Sequence, residues 1–329
     1  MLINKIHFIY FFKGLLISFY FIIKYYELEK KYDILKERNK NAIIEKSFKI
    51  IAISYANKKY RKQLKLNKKS ALEVGKVDEY YSYGPNNIDY EFQKKNRFIL
   101  SQKRGNGYWL WKPYFILKTL KEKLNVGDYL IYTDAGILYM DSSYKIIDFL
   151  KKQNSEMWMI PLDPTIYIEK KYSKRDAFIL LAADMPFYTD TPQYMAGIQV
   201  YRKSKFTEKF LEEVLYYSQD RRIITDEPNK LGLSNYKEFV ENRHDQTVLS
   251  LMIKKYGQAN SGKSNININK ILPSSIQMPY IFCIYRQTKF KNYYEIKQKC
   301  IKDIKDNKAL WRKKKEINNF FFIVKDLLF

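Results

Sequence analysis

DYLIYTDAG, Asp128–Gly136, is the stretch whose reading decides the fold. Tyr129 to Thr133 form a short apolar and β-branched run, and Asp134, Ala135 and Gly136 follow it directly. A continuous run of that length reads as a strand covered on both faces, as in a parallel sheet. Such sheets present their ligand sites at the carboxyl ends of the strands, where Asp134 stands. An Asp after a strand also serves as a turn former or helix cap. No helical pattern follows here, only Ala-Gly, and that favours a site.

Working outward, the same alternation recurs. Phe48–Ser54 (FKIIAIS) reads as a buried strand ending at Tyr55-Ala56-Asn57, followed by a basic helix. A second strand covers Asp78–Tyr83 and closes on Gly84-Pro85-Asn86-Asn87. Lys112–Leu124 has helical spacing with Pro113 in its first turn, where a missing N–H costs nothing. Beyond Gly136 the pattern predicts a helix over Ser143–Gln153, a strand over Met157–Pro161 and a helix over Lys171–Leu181. A strand over Gln193–Tyr201 and helices over Ser204–Ser218 and Asp245–Tyr256 complete it. Strands separated by helices imply an α/β fold, a mostly parallel sheet flanked by helices. No internal repeat and no glycine-rich phosphate loop of the GxGxxG or GxxxxGK[ST] kind is present.

Three stretches carry residues suited to chemistry. Arg104–Pro113 (RGNGYWLWKP) holds two glycines and two of the four tryptophans. Lys112 lies at a helix start, where free N–H groups and the positive dipole end favour an anion. A diphosphate cradle and an aromatic turn packed under the sheet both fit this stretch. Asp134 is the second candidate. The third is Arg243-His244-Asp245-Gln246, which opens a helix with Asp245 placed as an N-cap; the remaining histidine is His7, in the N-terminal segment.

The chain of 329 residues carries a formal charge of +25, mostly from lysines scattered along its length. Base readout and RNA modules favour arginine and localised patches. An anionic membrane surface or an anionic donor therefore fits this charge better than nucleic acid. Ile6–Ile23 is the one long apolar run, broken by His7, Lys13 and Gly14 and followed by Lys24, Lys30, Lys31 and Lys36. Spanning or lying in the interface, that asymmetry predicts a cytoplasmic catalytic domain; a buried first helix is the other reading. The expected organisation is an apolar helix with a charged connector over 1–46, a catalytic domain over 47–300 and a basic, aromatic tail over 301–329. Cys283 and Cys300 form no CxxC and have no clustered histidine, which argues against a zinc site or a disulfide framework.

The order RGNGYWLWKP, YTDAG, Ala196-Gly197 in a strand and RHDQ opening a helix resembles bacterial GT-A glycosyltransferases of the surface-polysaccharide type. The resemblance covers roughly residues 48–256. It implies a GT-A-like, Rossmann-related sheet and transfer of a sugar from a nucleotide-sugar donor to a glycan or lipid-linked acceptor. The expected place is the cytoplasmic face of a bacterial inner membrane. It implies a divalent metal, Mn or Mg, with Asp134 matching the first Asp of the family's DxD motif; the second DxD position is Gly136 here. Lys112 matches the basic residue that meets the diphosphate. Ser54, Tyr55 and Ala56 match the base-binding strand end. Gln193, Ala196 and Gly197 match the strand facing the donor sugar, and Arg104, Gly107, Trp111 and Gln246 join them on the donor side. Asp134, Asp245 and His244 are the candidate bases, unranked. A sugar nucleotidyltransferase and a basic membrane- or nucleic-acid-binding protein are the alternatives.

Overall fold

The computed structural model describes residues 47–260 and 282–284. The apolar run Ile6–Ile23, the tail 301–329 and Cys300 lie outside them. Among the described residues no helix is long and apolar enough to cross a membrane.

Five strands make the central sheet: β1 (Ile50–Tyr55), β2 (Glu79–Tyr83), β3 (Tyr129–Thr133), β5 (Met157–Pro161) and β6 (Tyr194–Arg202), in the order β2-β1-β3-β6-β5. β1 pairs in parallel with β2 and β3, whereas β6 runs antiparallel to both β3 and β5. The sheet is thus parallel except for β6. A short β4 (Ile137–Tyr139) leaves the Asp134 turn and pairs antiparallel with β7 (Phe282–Ile284).

Side chains alternate across a strand, and here both faces are covered. Ile51, Ile53, Leu130 and Tyr132 belong to one core with helices α2 (Trp111–Lys123), α4 (Lys205–Ser218) and α5 (Asp245–Asn260), represented by Phe115, Leu211 and Leu249. Ile50, Ala52, Tyr129 and Ile131 face α1 (Arg61–Glu73) and α3 (Tyr144–Lys152) through Ala71, Ile146 and Leu150. Each large apolar side chain buried this way contributes roughly 1.5–3 kcal/mol. Residues buried on both faces explain why β1 and β3 read as unbroken apolar runs. α2 is the helix packed deepest: Trp111 to Leu117, Thr119 and Leu120 are all buried.

The structure departs from the sequence reading at three places. The sheet expected as mostly parallel contains one reversed strand, β6, whose direction the sequence left open. The single helix expected over Lys171–Leu181 is two short ones, Glu169–Tyr172 and Arg175–Leu180. Ser173 and Lys174 are extended between them, with the Ser173 hydroxyl on Glu169 and the Lys174 ammonium on the Glu227 carbonyl. Asp245 is the first residue of α5 rather than its N-cap.

Candidate active site

The stretch Gly105–Trp109 folds as a left-handed turn. All five residues have positive φ: 58°, 55°, 96°, 50° and 59°. The amide of Tyr108 donates to the Arg104 carbonyl at 2.8 Å. For L-residues this conformation costs about 1–2 kcal/mol each, so Tyr108 and Trp109 must be held there by their contacts. The Trp109 ring stacks on His244 with centroids 5.3 Å apart, and Tyr108 lies 4.9 Å from the same imidazole. Trp111 stacks on Tyr55 at 3.7 Å, and its indole N–H donates to the Gly105 carbonyl at 2.9 Å. Asn106 donates to the Tyr55 hydroxyl. Glycine is required at 105, because a Cβ there would lie 2.2 Å from the Trp109 ring. Of the two readings of RGNGYWLWKP, the packed aromatic turn describes these contacts: the turn pins the end of β1 to the start of α5.

Lys112, in the first turn of α2, is only 4% exposed, and its ammonium lies 2.7 Å from Asp245 Oδ2 and 3.3 Å from Asp134 Oδ1. The Tyr132 and Trp111 rings flank it at 5.3 and 5.9 Å. Burial pulls the Lys112 pKa down, yet the two carboxylates together outweigh it and hold the ammonium above its ordinary range. Burial pushes the Asp245 carboxyl up to about 6; Lys112 opposes that rise and Asp134 adds to it. Asp134 is the open member of the cluster, its side chain 44% exposed against 8% for Asp245.

Two neighbours aim the Asp134 carboxylate. Tyr132, two residues earlier on the same strand face, donates its hydroxyl to Oδ1 at 2.5 Å. Burial first, and the adjacent Asp134 charge second, raise the Tyr132 pKa well above its usual value, so the hydroxyl keeps its proton. On β6 the Gly197 carbonyl accepts the Asp134 amide at 2.8 Å, and a Cβ at Gly197 would stand 3.1 Å from Oδ2. A glycine there is what lets the carboxylate lie against β6.

The other sequence-predicted residues divide. Gln246 accepts from the Ala196 amide (3.2 Å) and donates to Gln193 (2.7 Å), which links α5 to β6 beside the cluster. Gln193 itself is fully buried and donates to Glu169 and Ser173, so it serves an interior network and not an open donor face. Ser54 and Ala56 are also buried. His244 is buried with Nδ1 on the Ile224 carbonyl at 2.8 Å. Burial lowers its pKa, which leaves a neutral ring clamped between Trp109 and Tyr108, a positioning role for the turn and not an exposed base. Arg104 lies at the surface on Asp226 (3.2 Å) and Glu241 (3.1 Å). The sequence reading missed Asp226, Glu241 and Tyr132. Only Tyr132 carried a signal, its i−2 spacing from Asp134.

The expected divalent ion does not fit the residues present. The place between Asp134 and Asp245 is filled by the Lys112 ammonium, and Gly136 brings no side chain to the second DxD position. Among the described residues no three of His, Cys, Asp and Glu gather as a ligand set.

No family model matches the chain, and no curated protein matches it. Solved structures similar to it include the apo form of WbbM, a bifunctional glycosyltransferase, at 10% identity and TM-score 0.38. That match covers 64% of this chain, which spans 38% of the WbbM chain. Mouse xyloside xylosyltransferase 1 in its apo form matches at 10% identity over 64% of this chain and 82% of its own, TM-score 0.36. The galactosyltransferase LgtC, solved with donor and acceptor sugar analogues, matches at 12% identity over 80% of this chain and 99% of its own, TM-score 0.39. All three are glycosyltransferases, but likenesses this distant assign the present chain no activity.

Proposed function

We propose that the protein is a glycosyltransferase that moves a sugar from a nucleoside-diphosphate sugar to a glycan or lipid-linked hydroxyl. The observation that supports this reading is convergence. RGNGYWLWKP, YTDAG, Ala196-Gly197 and RHDQ, spread from Arg104 to Gln246, meet around one charge cluster at the carboxyl end of β3. In transfer, the bond from the anomeric carbon to the diphosphate breaks with its electron pair going to the phosphate oxygen. The acceptor oxygen bonds to that carbon and its proton passes to a base. Of Asp134, Asp245 and His244, Asp134 alone presents an open group. Its carboxylate, fixed by Tyr132 and Lys112, suits either the proton or the positive charge that develops at the anomeric carbon. The net charge of +25 and the basic flank after Ile6–Ile23 favour action at the cytoplasmic face of an anionic bacterial membrane, in surface-polysaccharide synthesis.

The test is a thermal-shift screen of the full chain against nucleotide sugars, followed by product analysis with glycan acceptors. One donor should raise Tm and be turned over, with turnover lost in Asp134→Asn. A folded protein that responds to no nucleotide sugar would sink the proposal.

A further inference from the structure

Two ionised carboxylates brought to within reach of one point in a partly buried corner favour a cation between them, because each raises the electrostatic cost of the other. In this protein the cation is supplied by the chain. We propose that Lys112 takes the place of a divalent ion: a cation built into the chain offsets part of the charge of the Asp134–Asp245 pair, and the site works without a resident metal. The inference rests on the glycosyltransferase reading for what the site does, and on geometry alone for the cation.

Three observations carry it. The Lys112 ammonium is 2.7 Å from one carboxylate and 3.3 Å from the other, so it occupies the place a shared ion would take. A Mg or Mn ion on the same oxygens, at roughly 2.0–2.2 Å, would sit against the ammonium and be repelled by it. The lysine is also not free to swing aside. It is buried in the first turn of α2, its ammonium 5.9 Å from the Trp111 ring and 5.3 Å from the Tyr132 ring, with Pro113 next to it in a helix that is buried over most of its length. Lastly, Gly136 leaves the turn after Asp134 with no second carboxylate to recruit an ion from the solvent side.

The consequence is that removing the lysine's charge should create a metal site. Native protein, Asp134→Asn, Lys112→Met and Lys112→Met/Asp134→Asn are each titrated with Mn ion alone at mildly alkaline pH, with bound metal read by electron paramagnetic resonance. The expected result is no stoichiometric binding to the native chain, gain of one bound ion in Lys112→Met, and loss of that ion in the double variant. Stoichiometric binding by the native chain that disappears in Asp134→Asn overturns the inference, as does a folded Lys112→Met that gains no ion. Should Lys112→Met not fold, the native titration and its Asp134→Asn control decide alone: no ion bound supports the proposal and an Asp134-dependent ion refutes it. None of these readouts involves a sugar, so failure here is separable from failure of the proposed activity, which the donor screen measures.

Discussion

Lys112 and Lys254 are both buried lysines held on carboxylates, yet their surroundings have opposite character. Lys254 meets one acid, Glu169, at 2.5 Å. Glu169 is fully buried and already accepts from Ser173, Gln193 and Ser250, so the knot is closed on every side. Burial there wins over the single carboxylate and draws the Lys254 pKa down. Lys112 meets two acids, its pKa goes up, and one of its partners stands open to solvent. One cation to one saturated anion makes a structural pin. One cation to two anions leaves a unit of negative charge unneutralised, and the half-exposed Asp134 is where a ligand meets it. Gln246 and Gln193 join the two clusters, so α5 carries both the pin and the site.

The sharpest way to break this contrast is to change one residue in each cluster. Asp134→Asn should lower kcat by about 10²–10⁴, the range of a lost acid–base or charge-stabilising group. Its melting temperature should stay near that of the native protein, because the carboxylate is open. Lys254→Met should do the reverse. Leaving Glu169 buried without its cation is expected to cost about 3–5 kcal/mol in urea unfolding, with kcat per folded molecule kept. Equal loss of stability in both variants would show that the distinction between pin and site is not real.

How far the sequence already distinguished them depends on what kind of signal each residue emits. β1 and β3 were legible because doubly covered strands must be apolar throughout, and Asp134 because an acid at the carboxyl end of such a strand has no apolar role. Trp111–Lys123 was legible from its spacing and Pro113. Direction was not: β6 offers the same apolar run whichever way it points, and only its pairing with β3 and β5 reveals the reversal. The glycines at 105 and 107 announced a turn, but not that Tyr108 and Trp109 would join them at positive φ, since His244 and Tyr55 supply the contacts that hold the turn from far along the chain. Gln193 suits a donor pocket and a buried network equally by type, and Glu169 decides for the latter. Asp226 and Glu241 lie in an aperiodic stretch where no spacing rule applies.

Acidity sharpens the comparison by a different route. Asp245 titrates near 6 in the folded chain, above the ordinary carboxyl value of 3.8. Between those values the folded state holds the proton that the unfolded state has released. This group's contribution to stability is therefore present at low pH and lost as pH rises through about 6. Activity should move the opposite way. Once protonated, Asp245 no longer shares Lys112, the ammonium is left to Asp134 alone, and the free carboxylate charge of the site is gone. The expected profile of kcat/KM falls as pH is lowered, with an apparent midpoint near pH 6, while Tm does not fall over the same step on account of Asp245. An activity profile flat through pH 5–7 would remove Asp245 from the working site.

The smallest effect belongs to the third kind of ion pair, the exposed one. Arg104 bridges Asp226 and Glu241 with nearly half its side chain in solvent, so the charges are screened and the ordering of three long side chains offsets much of the attraction. Arg104→Ala should change unfolding free energy by about 0–1 kcal/mol. What change there is should fade between about 0.01 M and 1 M salt, as the screening length shrinks from roughly 30 to 3 Å. The buried Lys254→Met loss should persist across the same salt range. A salt-insensitive loss in Arg104→Ala would mean instead that the arginine braces the left-handed turn beginning at Gly105. The turn would then be held from its outer side as well as by Tyr55 and His244.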